Sequence, residues 1–147
     1  MHALGVGRES LTRALEGLLE LRLIARNPGY GHPLRPEYVV LPEGAALAPA
    51  CVELVDRLDE LGALEIGLKK WSMPVVHALA DDPRRFSELR DELPGITARA
   101  LTLALKDLAA AGLVERTVTD DFPPATLYRL TAGAEPLVRP LRRLARA

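Results

Sequence analysis

Arg99, Thr102, Leu103 and Lys106 stand three or four residues apart, and the apolar residues among them, Ile96, Ala100, Leu101, Ala104, Leu105 and Leu108, fall on the opposite side of a helix. Two cations, a hydroxyl and a branched aliphatic side chain on one helix face would serve on double-stranded DNA, and are also what an ordinary solvated helix face carries. Arginine and lysine bind phosphate oxygens or guanine edges, and threonine or leucine touches a thymine methyl group. Thr97 opens the stretch as its N-cap and belongs to the same set. No competing chemistry is spaced in this way. The chain has no glycine-rich phosphate loop, no nucleophile with a base in reach by spacing, and no cluster of metal ligands; its single cysteine, Cys51, and three histidines are scattered. The expectation is a protein that is not an enzyme and uses neither cofactor nor metal.

Composition narrows the setting. The 147 residues are 48% hydrophobic and 27% charged, enough for one ordinary domain or two very small ones. A formal net charge of −1 means that any nucleic acid must be met by a local basic patch. No apolar run approaches the roughly 20 residues that span a bilayer, and no basic segment followed by an apolar one opens the chain. A cytoplasmic protein without membrane contact is expected.

The elements that position the four residues read clearly. From Ile66 to Ala80, the residues Ile66, Trp71, Val75, Val76 and Leu79 suit a first helix, with Pro74 kinking it or marking its early turns. After a turn at Asp81, Asp82 and Pro83, Phe86, Leu89 and Leu93 line a second short helix that Pro94-Gly95 breaks. The third helix runs from Thr97 to about Ala111 and stops at Gly112. "LVERTV" and "TLYRL" then alternate as strands around the turn-rich "TDDFPPA". Two helices joined by a tight turn and followed by a hairpin make a winged helix-turn-helix.

The chain writes much of this twice. Shifting the numbering by 90 puts Gly5 on Gly95, Leu11 on Leu101, Leu15 on Leu105, Leu18 on Leu108, Arg26 on Arg116, Pro33 on Pro123 and Tyr38 on Tyr128, with no gap. The first copy holds a recognition-like helix, about Arg8 to Leu21, and a hairpin, about Leu23 to Leu41, but no first or second helix. Val6, Leu11, Leu15 and Leu18 would then face water, unless the true start lies upstream, a second chain covers them, or they pack on the second copy. An upstream start is the favoured expectation.

The expected layout is an incomplete repeat over 1–44, a linker helix over 45–64 and a complete domain over 65–147. In the linker, Leu47, Cys51, Leu54, Val55, Leu58 and Leu61 form an apolar side, and Glu53, Asp56, Asp59 and Glu60 face away. That places Cys51 in an apolar setting that makes it inert, against the alternative of a redox switch. At the C-terminus, Leu137, Val138, Leu141 and Leu144 oppose Arg139, Arg142, Arg143 and Arg146, which reads as a packing helix with Pro140 near its start.

The stretch from "KKWSMPVVHAL" through "RRFSEL", "LPGI", "GLVER" and "PPATLYRLT" resembles the HxlR type of bacterial winged-helix regulators over roughly residues 65–135. The resemblance implies a mainly α protein with small β-hairpin wings, here as a tandem winged helix-turn-helix. It implies a dimeric, DNA-binding transcription regulator whose third helix enters the major groove while the wing follows the backbone. On this chain the implied partners are double-stranded DNA and a second copy, or a pseudo-dimer, met through the linker and C-terminal helices. Arg85 matches the arginine of the family's "RF" motif and would contact phosphate. Ala125 stands where the family's wing arginine usually follows "PP", and Arg35 occupies that place in the first copy, near His32 and behind Arg8 and Arg13. The alternative is a winged-helix module for protein interaction or dimerisation, which the near-neutral charge and acidic wing tip, Asp120 and Asp121, would allow.

Overall fold

The computed structural model describes residues 7–30 and 35–146, of which 28–30, 35 and 36 by backbone alone. The chain forms two compact units, Met1–Pro49 and Ala50–Ala147. The boundary falls inside one helix.

In the first unit, α1 (Arg8–Glu20) leads into an antiparallel hairpin of β1 (Ile24–Tyr30) and β2 (Arg35–Val40), then into α2 (Pro42–Glu60), whose second half belongs to the other unit. Ile24 pairs with Val40 and Arg26 with Tyr38, and the register shifts between Asn27 and Tyr30. No residue of α1 is buried. Arg22 closes the helix at φ 57°, a left-handed conformation that costs a non-glycine residue about 1 kcal/mol.

The second unit contains the core. After the second half of α2 come α3 (Leu64–Gly67), α4 (Ser72–Ala78), α5 (Phe86–Glu92) and α6 (Ala98–Ala110), then β3 (Val114–Val118), β4 (Thr126–Leu130), a 3₁₀ turn (Ala132–Ala134) and α7 (Glu135–Ala145). Val75 and Val76 of α4, Leu89 of α5, Leu101, Leu105 and Leu108 of α6, Leu113, and Leu137 and Leu141 of α7 meet in one cluster around Leu58. Each fully buried leucine contributes about 1.5–3 kcal/mol relative to leaving it in water.

The expected single helix from Ile66 to Ala80 is two pieces. Pro74 is the third residue of α4, where its missing N–H costs nothing, but its ring would clash with the Lys70 carbonyl if the helix continued backward. Gly67 ends α3 against Leu58, and a Cβ there would lie 2.6 Å from Leu58 Cδ2, so the Leu58 side chain packs directly on the Gly67 backbone. Ser72 is buried just after this break, and its Oγ has no hydrogen-bond partner among the described residues.

Other helix ends follow the sequence closely. Glu88 Oε1 accepts from the Arg85 N–H at 2.9 Å at the start of α5. Gly112 ends α6 at φ 75°, and the Leu113 N–H then donates to Leu108 O at 2.9 Å. In the second hairpin Val114 pairs with Leu130 and Arg116 with Tyr128. Arg84, between α4 and α5, adds a one-residue third strand: its N–H donates to Tyr128 O at 2.9 Å, and the Tyr128 N–H donates back at 2.8 Å.

A shift of 90 in numbering maps Arg8–Glu20 onto Ala98–Ala110 end to end. It maps the pair Ile24–Val40 onto Val114–Leu130, and Arg26–Tyr38 onto Arg116–Tyr128. It also carries Arg22, at φ 57°, onto Gly112, at φ 75°.

Three expectations on the other helices are corrected. Cys51 is exposed, because the inward line along α2 runs through the buried Ala50 and Leu58 with the half-buried Leu54 between them, and Cys51 lies about 100° round the helix from Ala50. Glu53 does not simply face solvent: Arg143 of α7 donates to its Oε2 at 3.3 Å. Pro140 is inside α7 and fully buried, and Pro136 takes the helix start instead. The expected apolar face of α7 holds, with Leu137, Val138 and Leu141 buried, and Arg142 pairs with Asp81 at 2.5 Å.

Candidate nucleic-acid interface

α6 is fixed at its start by Thr97, whose Oγ1 accepts from the Ala100 N–H at 3.0 Å. With Leu101, Ala104, Leu105 and Leu108 buried, the opposite face presents Arg99, Thr102, Leu103 and Lys106 to solvent, as the spacing predicts. Leu103 is 50% exposed, a large apolar side chain free to meet a partner. Thr102 Oγ1 donates to Ala98 O at 2.8 Å, so its hydroxyl is left as an acceptor beside an exposed methyl group. Arg99 and Lys106 make no ion pair among the described residues. Seven residues apart, they sit about 10 Å from one another along the helix axis.

Both flanks of α6 are grooved. On one side Lys69, Lys70, Trp71 and Ser72 face Ala100, Leu103, Ala104 and Asp107 across a groove of about 250 Å³. Lys69 is held by Asp107 at 2.9 Å, and the Lys70 ammonium lies 5.2 Å from the centre of the Trp71 ring. On the other side a groove of about 170 Å³ runs between α6 and the wing, with Lys106 and Arg116 among its lining residues and Phe86, Val114 and Tyr128 along it. Arg116 is exposed and has no acidic partner among the described residues, and the same holds for Lys70. Neither Lys70 nor Arg116 was singled out from the sequence. The signals were available, in the Lys-Lys-Trp run ahead of α4 and in the match of Arg26 to Arg116.

Arg85 is exposed at the start of α5, while its neighbour Arg84 is tied to Glu92 at 2.8 Å. The wing tip differs in character. Asp120 and Asp121 are exposed there, and Phe122 is 98% exposed.

The first unit's cations are arranged differently. Arg8 is exposed, but Arg13 is paired with Glu9 at 2.6 Å. Arg26 is 5.7 Å from the centre of the Tyr38 ring and donates to Tyr38 Oη at 3.2 Å. Arg35 pairs with Tyr30 through the backbone; its side chain and the whole of His32 lie outside the described residues. The sequence set therefore divides. Arg99, Thr102, Leu103 and Lys106 share one face with Thr97 at its start, Arg85 lies on the neighbouring helix, and Arg8 and Arg13 lie on α1 in the other unit.

Comparison with known proteins gives concordant likenesses. Residues 66–146 match the HxlR-like helix-turn-helix family. An uncharacterized HTH-type transcriptional regulator of Methanothermobacter thermautotrophicus is 38% identical over 79 residues, 54% of this chain and 60% of that one. The HTH-type transcriptional regulator YodB of Bacillus subtilis is 36% identical over 63 residues, 43% of this chain and 56% of that one. The chain thus spans little more than half the length of these relatives. The crystal structure of diamide-treated YodB matches with a TM-score of 0.51 at 29% identity, covering 58% of this chain and 84% of that one. The redox regulator HypR in its oxidised form matches with a TM-score of 0.54 at 32% identity, covering 60% and 91%. Among the described residues no helix is long and apolar enough to cross a membrane.

Proposed function

The chain belongs to the HxlR-like helix-turn-helix family, and on that premise we propose that it is a sequence-specific, DNA-binding transcription regulator that reads its operator with α6. The observation that carries this reading is the set of cations without acidic partners among the described residues, Arg99 and Lys106 on α6 with Lys70 and Arg116 on its two flanks. Seated in a major groove, α6 would bring Arg99, Thr102, Leu103 and Lys106 to base edges, and Lys70, Arg85 and Arg116 to phosphates on either side. Thr97 serves this by capping the helix.

The first copy is an incomplete winged-helix repeat over 1–44, joined by a linker helix over 45–64 to the complete domain over 65–147. The coincident bounds of α1 and α6 and the matching register of the first four strand pairs of each hairpin support this. Arg8, Arg13 and Arg35 are its candidate DNA contacts. The engagement of Arg13 by Glu9 and of Arg26 by Tyr38 makes it the weaker reader of the two. Association as a homodimer or pseudo-dimer through α2 and α7 is supported by Val52, 60% exposed on α2. Such a regulator works in the cytoplasm.

The experiment is a salt titration of binding to the intergenic DNA next to its own gene, with mixed-sequence DNA as competitor. Log affinity is expected to fall with log salt by about 0.9 per phosphate contact. A flat response would favour the second reading, a protein-interaction module, for which Asp120, Asp121 and the bare Phe122 at the wing tip speak.

A further inference from the structure

Asp107 is the only acidic residue on α6, and it stands four residues after Leu103 and next to Lys106, at the margin of the exposed face. Its carboxylate is already engaged. Lys69 Nζ, from the turn between α3 and α4, donates to Asp107 Oδ2 at 2.9 Å across the groove that Lys70, Trp71 and Leu103 also line. The Lys69 side chain is 56% exposed and that of Asp107 35%, so water and salt reach the pair and it adds little to the stability of the fold. Five cations border α6 or lie on it: Lys69, Lys70, Arg99, Lys106 and Arg116. Of these, Lys69 alone has an acidic partner among the described residues.

We propose that Asp107 is a positioning residue that holds Lys69 away from the DNA backbone, its carboxylate taking the place that a phosphate would fill. The proposal rests on α6 being the reading helix. A carboxylate and a phosphate offer an ammonium group the same kind of charge-assisted hydrogen bond, so the two compete for Lys69. The carboxylate is tethered on the same domain and is present before any DNA arrives. While the pair is closed its net charge is zero, and it displaces no counterion from the duplex. Phosphate contacts supply essentially all of non-specific binding, whereas Arg99, Thr102, Leu103 and Lys106 are placed to add base contacts on an operator. Withholding one cation therefore lowers the affinity for all DNA, and only the operator keeps base contacts to offset the loss.

Asp107→Asn tests this in the full 147-residue chain, because it removes the charge and nearly preserves the shape. The slope of log affinity against log salt is expected to steepen by about 0.9 per bound domain, on mixed-sequence DNA as on the intergenic fragment. Ethylation interference is expected to reveal an added phosphate whose modification weakens the variant and not the parent. Adding Lys69→Gln to Asp107→Asn should remove both the steeper slope and the added phosphate. Asp91→Asn is the control for charge alone, since Asp91 is exposed on the neighbouring α5 and has no ion pair among the described residues. Urea unfolding checks that each variant is folded, and Asp107→Ser gives a second way to release Lys69. Parental slope and phosphate pattern in the folded Asp107 variants overturn the proposal, as does a gain that survives Lys69→Gln or that Asp91→Asn reproduces. A chain that binds no DNA in any form overturns the reading of α6 and the proposal together; a parent that binds, with Asp107 variants unchanged, overturns the proposal alone.

Discussion

Replacing Arg99 and Lys106 together by alanine separates DNA reading from folding. Both side chains are exposed and without ion pairs among the described residues, so the double variant should fold with stability within about 0.5 kcal/mol of the parent. Its binding should change more. If both groups contact phosphate, the slope of log affinity against log salt becomes less steep by about 1.8, and the loss is uniform across sequences. If either reads a guanine edge, about 1–3 kcal/mol goes with it, roughly 5- to 150-fold, and discrimination relaxes at that base pair. Fluorescence anisotropy on the intergenic DNA at several salt concentrations distinguishes the cases, with urea unfolding as the stability check. Leu105→Ala is the control. Leu105 is 4% exposed on the core side of α6, and its truncation should cost about 2–5 kcal/mol of stability. A folded double variant with parental affinity and salt slope would refute the assignment of α6 as the reading helix.

Thr97→Ala removes the acceptor for the Ala100 N–H and should lower stability by about 1 kcal/mol, read as a shift of the urea midpoint. Gly112→Ala meets no neighbour within 4 Å, so its cost of about 1 kcal/mol comes from the left-handed backbone alone; an unchanged midpoint would contradict the φ of 75°. Ser72→Ala deletes a buried hydroxyl that has no partner among the described residues and should leave stability unchanged or raise it by up to about 1 kcal/mol in the same assay. Cys51 should react with a thiol reagent such as DTNB in the native protein at nearly the rate seen in denaturant, and labelling that waits for unfolding would restore the buried reading.

Most of the second unit could be read in the sequence, because its signals are local. Thr97 and Gly112 each occupy a backbone position that few residue types fill, and they bound α6 where expected. The break between α3 and α4 was less legible. The apolar spacing from Ile66 to Leu79 fits one helix; Pro74, third in α4, was the local signal of a start there, and the packing of Leu58 on Gly67 adds a tertiary reason that the spacing does not carry. Cys51 was misplaced for a similar reason: Ala50 and Cys51 are both small and apolar enough for the inner line, and packing decides between them. Along the candidate interface, residue types and spacing revealed the exposed face of α6. Which arginines are engaged depends on neighbours that the apolar pattern does not fix, as with Arg26 on Tyr38.

The bridge between Arg84 and Tyr128 has a mechanical consequence. Two hydrogen bonds fasten the middle of β4 to the segment that enters α5, so the wing has no independent hinge at that point. Its direction is set before any partner arrives, and less entropy is lost when it is engaged. The first hairpin has no such strut among the described residues of its unit.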